Sequence, residues 1–332
     1  MNSSTVFDIA NLAGCSPTTV SRFLNQSGYV SKNTAAKIEG AIKKLNYQPN
    51  FLARSLRSQI NKTIFMAVAD IENPFFAQLY KTVQRMATEE GYMLTVYNTG
   101  ESEEEELRSL ELAAQMNVCG IVFFSNNFTE SLLCKLKQLK IAAVVNCYDS
   151  CDFDAVHGKK NHSAYMATNY LIQQGHTYVG FVGGNSNTAV ESSRRNGFLQ
   201  ALQEHGLSCC DESFIEVGFT IEDGKRAGER FLASGKLPTA ICCANDLLAL
   251  GLMKYFNEHG VKIPKDVSII GIDNIFYDEI SYPSLTTVTS DADVFAEKAL
   301  SMLLERIKGY EGTPRNVEVL HRLIIRKSTR RL

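Results

Sequence analysis

Three groups of side chains in this sequence are suited to gripping another molecule. Thr18, Thr19, Arg22 and Asn25 recur at spacings that put them on one outer face of a short helix. A guanidinium fork can meet two acceptors on a guanine edge, and threonine offers a hydroxyl to phosphate and a methyl to thymine. The alternative is a small helical bundle with a solvated face. Leu56 stands between Arg54 and Arg57; an apolar residue flanked by cations can wedge into a base step, or can be a linker residue packed on a neighbouring domain. Arg194 can hold two vicinal hydroxyls, or two carboxylate or phosphate oxygens, or can be an exposed arginine opening a helix.

Catalytic and metal chemistry finds no comparable set. The nine cysteines and six histidines show no C-x-x-C or H-E-x-x-H, so no metal is expected. Gly180-Phe181-Val182-Gly183-Gly184 lacks dinucleotide-loop spacing, and neither a P-loop nor a G-x-S-x-G is present. No cofactor is expected, and the chain does not read as an enzyme. The odd cysteine count and the neighbours Cys209-Cys210 and Cys242-Cys243 read as buried free thiols in a reducing cytoplasm.

The first group needs a scaffold, and the local sequence supplies one. Val6, Ile9, Ala10, Leu12 and Ala13 have helical spacing, with Gly14 to stop the helix. Ser16 is placed to cap a second helix, with Pro17 at its first position; Val20, Phe23 and Leu24 face inward. A third helix follows Ser31, with Ala35, Ala36, Ile38, Ala41, Ile42 and Leu45 as its apolar face. This is a helix-turn-helix pattern. Pro49 ends the third helix and Asn50 can cap a fourth, two-turn helix that is too short to stand alone. Residues 1–60 carry seven Lys/Arg against two acids, a net +5, so the rest of the chain carries −7 of the total −2. A basic head on an acidic body suits a head that meets a polyanion.

Beyond Lys62, apolar strand-like runs alternate with amphipathic helices, in one series from Thr63 to Asn146 and a second from Ala164 to Ile272. This predicts α/β architecture: two doubly wound parallel-sheet subdomains, with ligands at the carboxyl ends of the strands. At 36.9 kDa, 45% hydrophobic and 21% charged, the chain is an ordinary globular one. Its apolar runs are far shorter than a bilayer span, and its N-terminus shows no secretion signal.

Asp8-Ile9-Ala10 followed by Ala13-Gly14-Cys15-Ser16-Pro17-Thr18-Thr19-Val20-Ser21-Arg22-Phe23-Leu24-Asn25 resembles the DNA-binding head of the lactose-repressor (LacI/GalR) family. Tyr47, Pro49-Asn50 and Ala53-Arg54-Ser55-Leu56 resemble its hinge helix. The resemblance runs on through Asp70-Ile71-Glu72-Asn73-Pro74-Phe75-Phe76, Arg194-Arg195-Asn196-Gly197-Phe198, Ala244-Asn245-Asp246, Ile270-Gly271-Ile272-Asp273 and Pro283-Ser284-Leu285-Thr286-Thr287-Val288. It implies a fold like that of periplasmic sugar-binding proteins, with three crossovers near residues 160, 290 and 320. The expected domains are a helix-turn-helix over 1–46, a hinge over 47–60 and an effector domain over 61–332. Within the last, the N-subdomain takes 61–160 and 291–320, and the C-subdomain takes 161–290 and 321–332.

The resemblance further implies that Thr18 and Arg22 read the major groove, and that Leu56 with its partner's copy opens the minor groove beside Arg57. Candidate DNA contacts are therefore Ser16, Thr18, Thr19, Arg22, Asn25, Tyr47, Asn50, Arg54, Leu56 and Arg57. Candidate effector contacts are Asp70, Phe75, Phe76, Lys160, Arg194, Phe219, Asn245 and Asp273, with the phenylalanines as an apolar wall. Asp246 is expected to cap the helix it begins. The sequence departs from the family in two places. Asn146 stands near where relatives carry an aspartate, unless Asp149 replaces it, and Lys159-Lys160 stands at a crossover where relatives often carry acids or amides. Both changes favour an anionic ligand such as a sugar phosphate. The expected function is a cytoplasmic repressor of sugar-utilisation genes. It would bind a palindromic operator as a homodimer, since the heptad tail of tetrameric relatives is missing, and answer to a sugar or sugar phosphate. The competing reading is a sugar-binding carrier or sensor without a DNA role.

Overall fold

Short-range signals build the first unit. In the computed structural model, which describes residues 5–25, 27–47, 61–126, 128–147, 152–184 and 188–332, the chain divides into Met1–Asn61 and Lys62–Leu332. Helix α1 (Val6–Ala13) opens on a reciprocal cap: Asp8 N–H donates to the Thr5 hydroxyl, and Thr5 N–H donates to the Asp8 carboxylate. Gly14 closes it at φ 65°, a left-handed conformation that glycine adopts without a Cβ penalty. Helix α2 (Pro17–Asn25) starts with Thr19 N–H donating to Ser16 Oγ at 3.1 Å. Helix α3 (Lys32–Leu45) starts with Thr34 N–H donating to Ser31 Oγ. Ile9, Ala10, Ala13, Val20, Ile38 and Ala41 form the shared core, with Phe23, Leu24 and Tyr47 packed around it. Leu12, expected in that core, is exposed, as is Phe7. The candidates Asn50, Arg54, Leu56 and Arg57, and with them most of the 47–60 hinge, lie outside the described residues.

In the second unit, the central apolar runs become strands buried on both faces, as a parallel sheet covered by helices requires. The first sheet is built from β1 (Thr63–Val68), β2 (Met93–Asn98), β3 (Gly120–Phe124), β4 (Ala142–Val145), β5 (Asp154–Gly158) and β11 (Asn316–Val319). Its order is β11-β5-β4-β3-β1-β2, and every pairing is parallel. Helices α4 (Pro74–Glu89), α5 (Glu103–Gln115), α6 (Glu130–Leu139) and α12 (Ala292–Ile307) belong to this half. The α12 residues Phe295, Leu300 and Leu303 share a core with Ile64, Val68, Val122 and Val144.

The second sheet holds β6 (Val179–Gly184), β7 (Phe214–Val217), β8 (Ala240–Cys243), β9 (Ser268–Ile272), β10 (Thr286–Thr289) and β12 (Arg322–Ile324). Its order is β12-β10-β9-β8-β6-β7, with only β12 antiparallel to its neighbour. Its helices are α7 (His162–Gln173), α8 (Ala189–Glu204), α9 (Ile221–Ala233), α10 (Asp246–Glu258) and the single turn α11 (Tyr277–Ile280). The chain passes between the sheets after β5, after β10 and after β11.

Within the first half, a buried charge ties the start of β5 to α12 and to the residue that leads into β11. The Asp154 carboxylate, fully buried at the start of β5, accepts from Arg306 of α12 at 2.8 and 3.0 Å and from Arg315 at 2.7 Å. Both guanidiniums also stack on Tyr310, at 4.7 and 4.5 Å from its ring centre. The thiols are not uniformly buried: Cys242 and Cys243 are, whereas Cys134 and Cys210 are exposed. All the described cysteines are free. Among the described residues, no helix is long and apolar enough to cross a membrane.

Candidate functional site

The carboxyl ends of the strands of both sheets converge on one cleft that encloses about 890 Å³, open mouth included. Seven of the eight effector candidates line it: Asp70, Phe75, Phe76, Arg194, Phe219, Asn245 and Asp273. Arg194 is not at a helix start. Helix α8 begins five residues before it, capped by Thr188, so Arg194 projects from its second turn. Its Nη2 donates to Asp273 Oδ1 at 3.3 Å, and both side chains are largely buried (17% and 8% exposed). The pair presents a cationic donor beside an anionic acceptor.

Asp273 sits at φ 125°, strained for a residue with a Cβ. Two bonds hold it there: its N–H donates to Val288 O, and its carbonyl accepts from the Thr289 hydroxyl. Burial raises its pKa above the carboxylate range, with Arg194 opposing that shift and Asp246 adding to it. The Asn73 side chain beside it also opposes that shift, while Asn73 Oδ1 caps α4 through Phe75 N–H at 3.0 Å. On the other lip, Val190 N–H donates to Asn126 O at 3.3 Å. The two lips thus touch at two places.

Asn245, not Asp246, caps α10: Leu248 N–H donates to Asn245 Oδ1 at 2.8 Å, and Asn245 Nδ2 donates to Phe219 O at 3.0 Å. Asn245 therefore ties the aromatic wall to the helix end. Asp246 stands one residue further in, where it is fully buried. The eighth candidate, Lys160, is exposed and does not line the cleft. Among the described lining residues Arg194 is the sole Lys or Arg, facing the carboxylates of Asp70, Glu101 and Asp273. The charge pattern runs opposite to the anion-binding expectation.

Sequence reasoning missed Glu101, Asn126, Gly158, Ser163, Ser290 and His321 and took Asn146 only as the loss of an aspartate; all seven line the cleft. Several carry a readable signal: a polar residue just beyond the last apolar residue of a strand, as in Phe124-Ser125-Asn126, Val145-Asn146 and Thr289-Ser290. Asn146 bonds Ser125 on both of its amide atoms, so it closes the strand ends. Glu101, at φ 60°, accepts from Asn126 Nδ2 at 2.6 Å. His321 rests over Gly158, where a Cβ would come within 2.7 Å of its ring.

In the first unit, Thr18 and Arg22 are exposed on α2, and Arg22 has no carboxylate partner among the described residues. Thr19 is half-buried and its hydroxyl is engaged with Ser16.

A small helical unit with an outward cation, joined to a two-sheet body with a cleft at its strand ends, defines a sensor coupled to a reader. The comparisons agree. The model of the bacterial regulatory proteins of the lacI family matches residues 5–50, and that of the periplasmic binding protein-like domain matches 168–329. The HTH-type transcriptional repressor PurR of Actinobacillus pleuropneumoniae serotype 3 (strain JL03) is 34% identical, over 99% of each chain. The lac repressor dimer bound to operator and the anti-inducer ONPF superposes with a TM-score of 0.88, at 23% identity over 99% of this chain and 100% of that one. A LacI family regulator from Enterococcus faecium with bound ribose gives 0.72, at 26% identity over 81% and 99%. The chain belongs to the lacI family of bacterial regulatory proteins. It is a ligand-responsive, DNA-binding transcriptional repressor of that family, a class of regulators rather than of enzymes.

Proposed function

We propose that this repressor binds a pseudo-palindromic operator as a cytoplasmic homodimer and answers to a small, neutral, polyhydroxylated effector, with sugar-utilisation genes as its targets. The observation that carries the effector class is the Arg194–Asp273 pair inside an aromatic-walled cleft. Guanidinium and carboxylate side by side donate to and accept from vicinal hydroxyls, while Phe75 and Phe219 cover an apolar ring face. The excess of carboxylates in the lining favours a neutral sugar over its phosphate. On the DNA side, Thr18 and Arg22 are free to reach base edges, with Ser16 and Thr19 as candidates for the backbone. The hinge residues Tyr47 and Asn50 are assigned from the family resemblance, Arg54, Leu56 and Arg57 from it and from the pattern of an apolar residue flanked by cations, and Asn25 from its spacing in the sequence. Exposed Phe276, Tyr277, Ile280 and Tyr282 supply an apolar face for a second copy.

A second reading is a planar heterocycle, since Phe75, Phe76 and Phe219 in the lining also suit the faces of a flat ring. A thermal-shift panel of sugars, their phosphates and nucleobases, followed by calorimetry and an operator gel shift on each hit, decides between them. Stronger binding of a sugar phosphate than of its parent sugar overturns the neutral-ligand reading. Operator affinity that does not fall with added salt overturns the phosphate-contact reading.

A further inference from the structure

Beneath the cleft floor two carboxyl groups meet out of reach of water. Asp246, in the first turn of α10, and Asp278, in α11, are both 0% exposed. Asp246 has a donor on each oxygen: the Thr287 hydroxyl reaches Oδ1 at 2.7 Å and Ile275 N–H reaches Oδ2 at 3.2 Å. Asp278 does not. Neither of its oxygens accepts a hydrogen bond from a described donor. Its nearest cation, Arg326, stands 3.9 Å away and spends its guanidinium on Leu285 O at 2.8 Å and Asn274 Oδ1 at 2.7 Å. Two bare carboxylates in contact without a full counter-ion would be strongly unfavourable in a low-dielectric interior. The unequal supply of donors also decides where a proton resides. Asp246 is solvated by protein as an acceptor, and Asp278 can meet it only as an O–H donor.

We propose that Asp246 and Asp278 share one proton, carried on Asp278, and that this pair is the clasp that positions the 273–282 segment. That segment carries Asp273 into the cleft at one end and exposes Phe276, Tyr277, Ile280 and Tyr282 at the other. The clasp therefore joins the effector floor to the apolar outer face. Gly271 makes room for it, since a Cβ there would strike the Asp246 carboxylate. Burial, then the Asp246 charge, pushes Asp278 far above the carboxylate range. The other ionisable groups facing the pair are Asp273 with its partner Arg194, Arg326 with its neighbour Glu279, and the Cys243 thiol. Both aspartates are positioning residues; neither touches the cleft.

The test uses the full-length repressor without effector or DNA, so its outcome is independent of which ligand the cleft takes. Asp278→Asn keeps the shape and places an N–H where the shared O–H would be, whereas Asp278→Ala removes it. Hydrogen exchange across 273–282 should match wild type in D278N and quicken roughly tenfold or more in D278A, where the clasp is lost. The native state holds a proton that the unfolded chain releases, so wild-type thermal stability should decline from about pH 5 to about pH 9, and D278N should flatten that decline. An infrared difference spectrum, wild type minus D278N, should show a protonated-carboxyl carbonyl band at neutral pH. The proposal fails if that band is missing, if D278N loosens the segment as much as D278A does, or if D278A exchanges like wild type. Should D278A not fold, the D278N exchange, its pH profile and the spectrum decide the matter.

Discussion

At the scale of single residues, the cleft and the Asp154 cluster make opposite uses of charge. Arg194 and Asp273 are held side by side yet remain available to a ligand, and lysine cannot replace the planar fork. Both Arg194→Ala and Arg194→Lys are expected to weaken any ligand recovered from the panel roughly ten- to a hundredfold, the range of charge-assisted hydrogen bonds. Operator affinity without ligand should stay at the wild-type level; calorimetry and gel shift check the two halves of this prediction. Asp154 is the structural counterpart. Burial alone would raise its pKa, but bonds from Arg306 and Arg315 outweigh burial and hold it down at about 2. A carboxyl depressed on folding adds stability that is complete above its unfolded value and is lost as the pH falls toward 2. Asp154→Asn leaves two guanidiniums facing a neutral amide, and a cost of about 3 kcal/mol is expected at pH 7. Chemical denaturation at neutral pH and again near pH 2 measures it, and the gap between the two proteins should shrink in acid.

At the scale of elements, caps decide where helices begin and so where functional side chains point. Ser16→Ala removes the acceptor for Thr19 N–H and should cost about 1 kcal/mol. Faster hydrogen exchange in α2 and weaker operator binding, with an unchanged body, are the expected signs. Element boundaries were largely legible where caps and apolar spacing agree: α1 stops at Gly14 and α2 starts after Ser16, where those residues put them. Helix α8 was misplaced because Thr188 is its cap, and the polar stretch that follows carries little apolar periodicity. Strands β5, β11 and β12 and helix α12 went unread. The three strands are short, and each is made a strand by a partner remote in sequence; β5, for example, pairs with β11.

At the scale of the molecule, function depends on joining parts that the sequence keeps apart. Between Phe276 and Tyr282, Asp278 turns inward while Phe276, Tyr277, Ile280 and Tyr282 are left exposed, Tyr282 at 92%. Ile280→Glu places a charge in that face. It should convert a homodimer to a monomer in sedimentation velocity and weaken operator binding, since both half-sites must be gripped at once. A variant that stays dimeric would move the interface elsewhere.

What the sequence determined by itself is what short-range free energy governs: the three head helices, the alternation of strand and helix, and the uneven charge between head and body. Those follow from caps, periodicity and composition within a few residues. Which side chains share the cleft follows from no local pattern, because Asp70, Arg194, Asp273 and His321 come from separate segments brought together by three crossovers; the family resemblance named the first three, and His321 went unread. The same holds for Lys160, which its place at a family crossover suggested and folding left outside, and for Asp246. Its position at a helix start reads as a cap, yet Asn245 takes that role and burial turns Asp246 toward Asp278. Desolvation depends on everything packed around a group, so no local pattern encodes it.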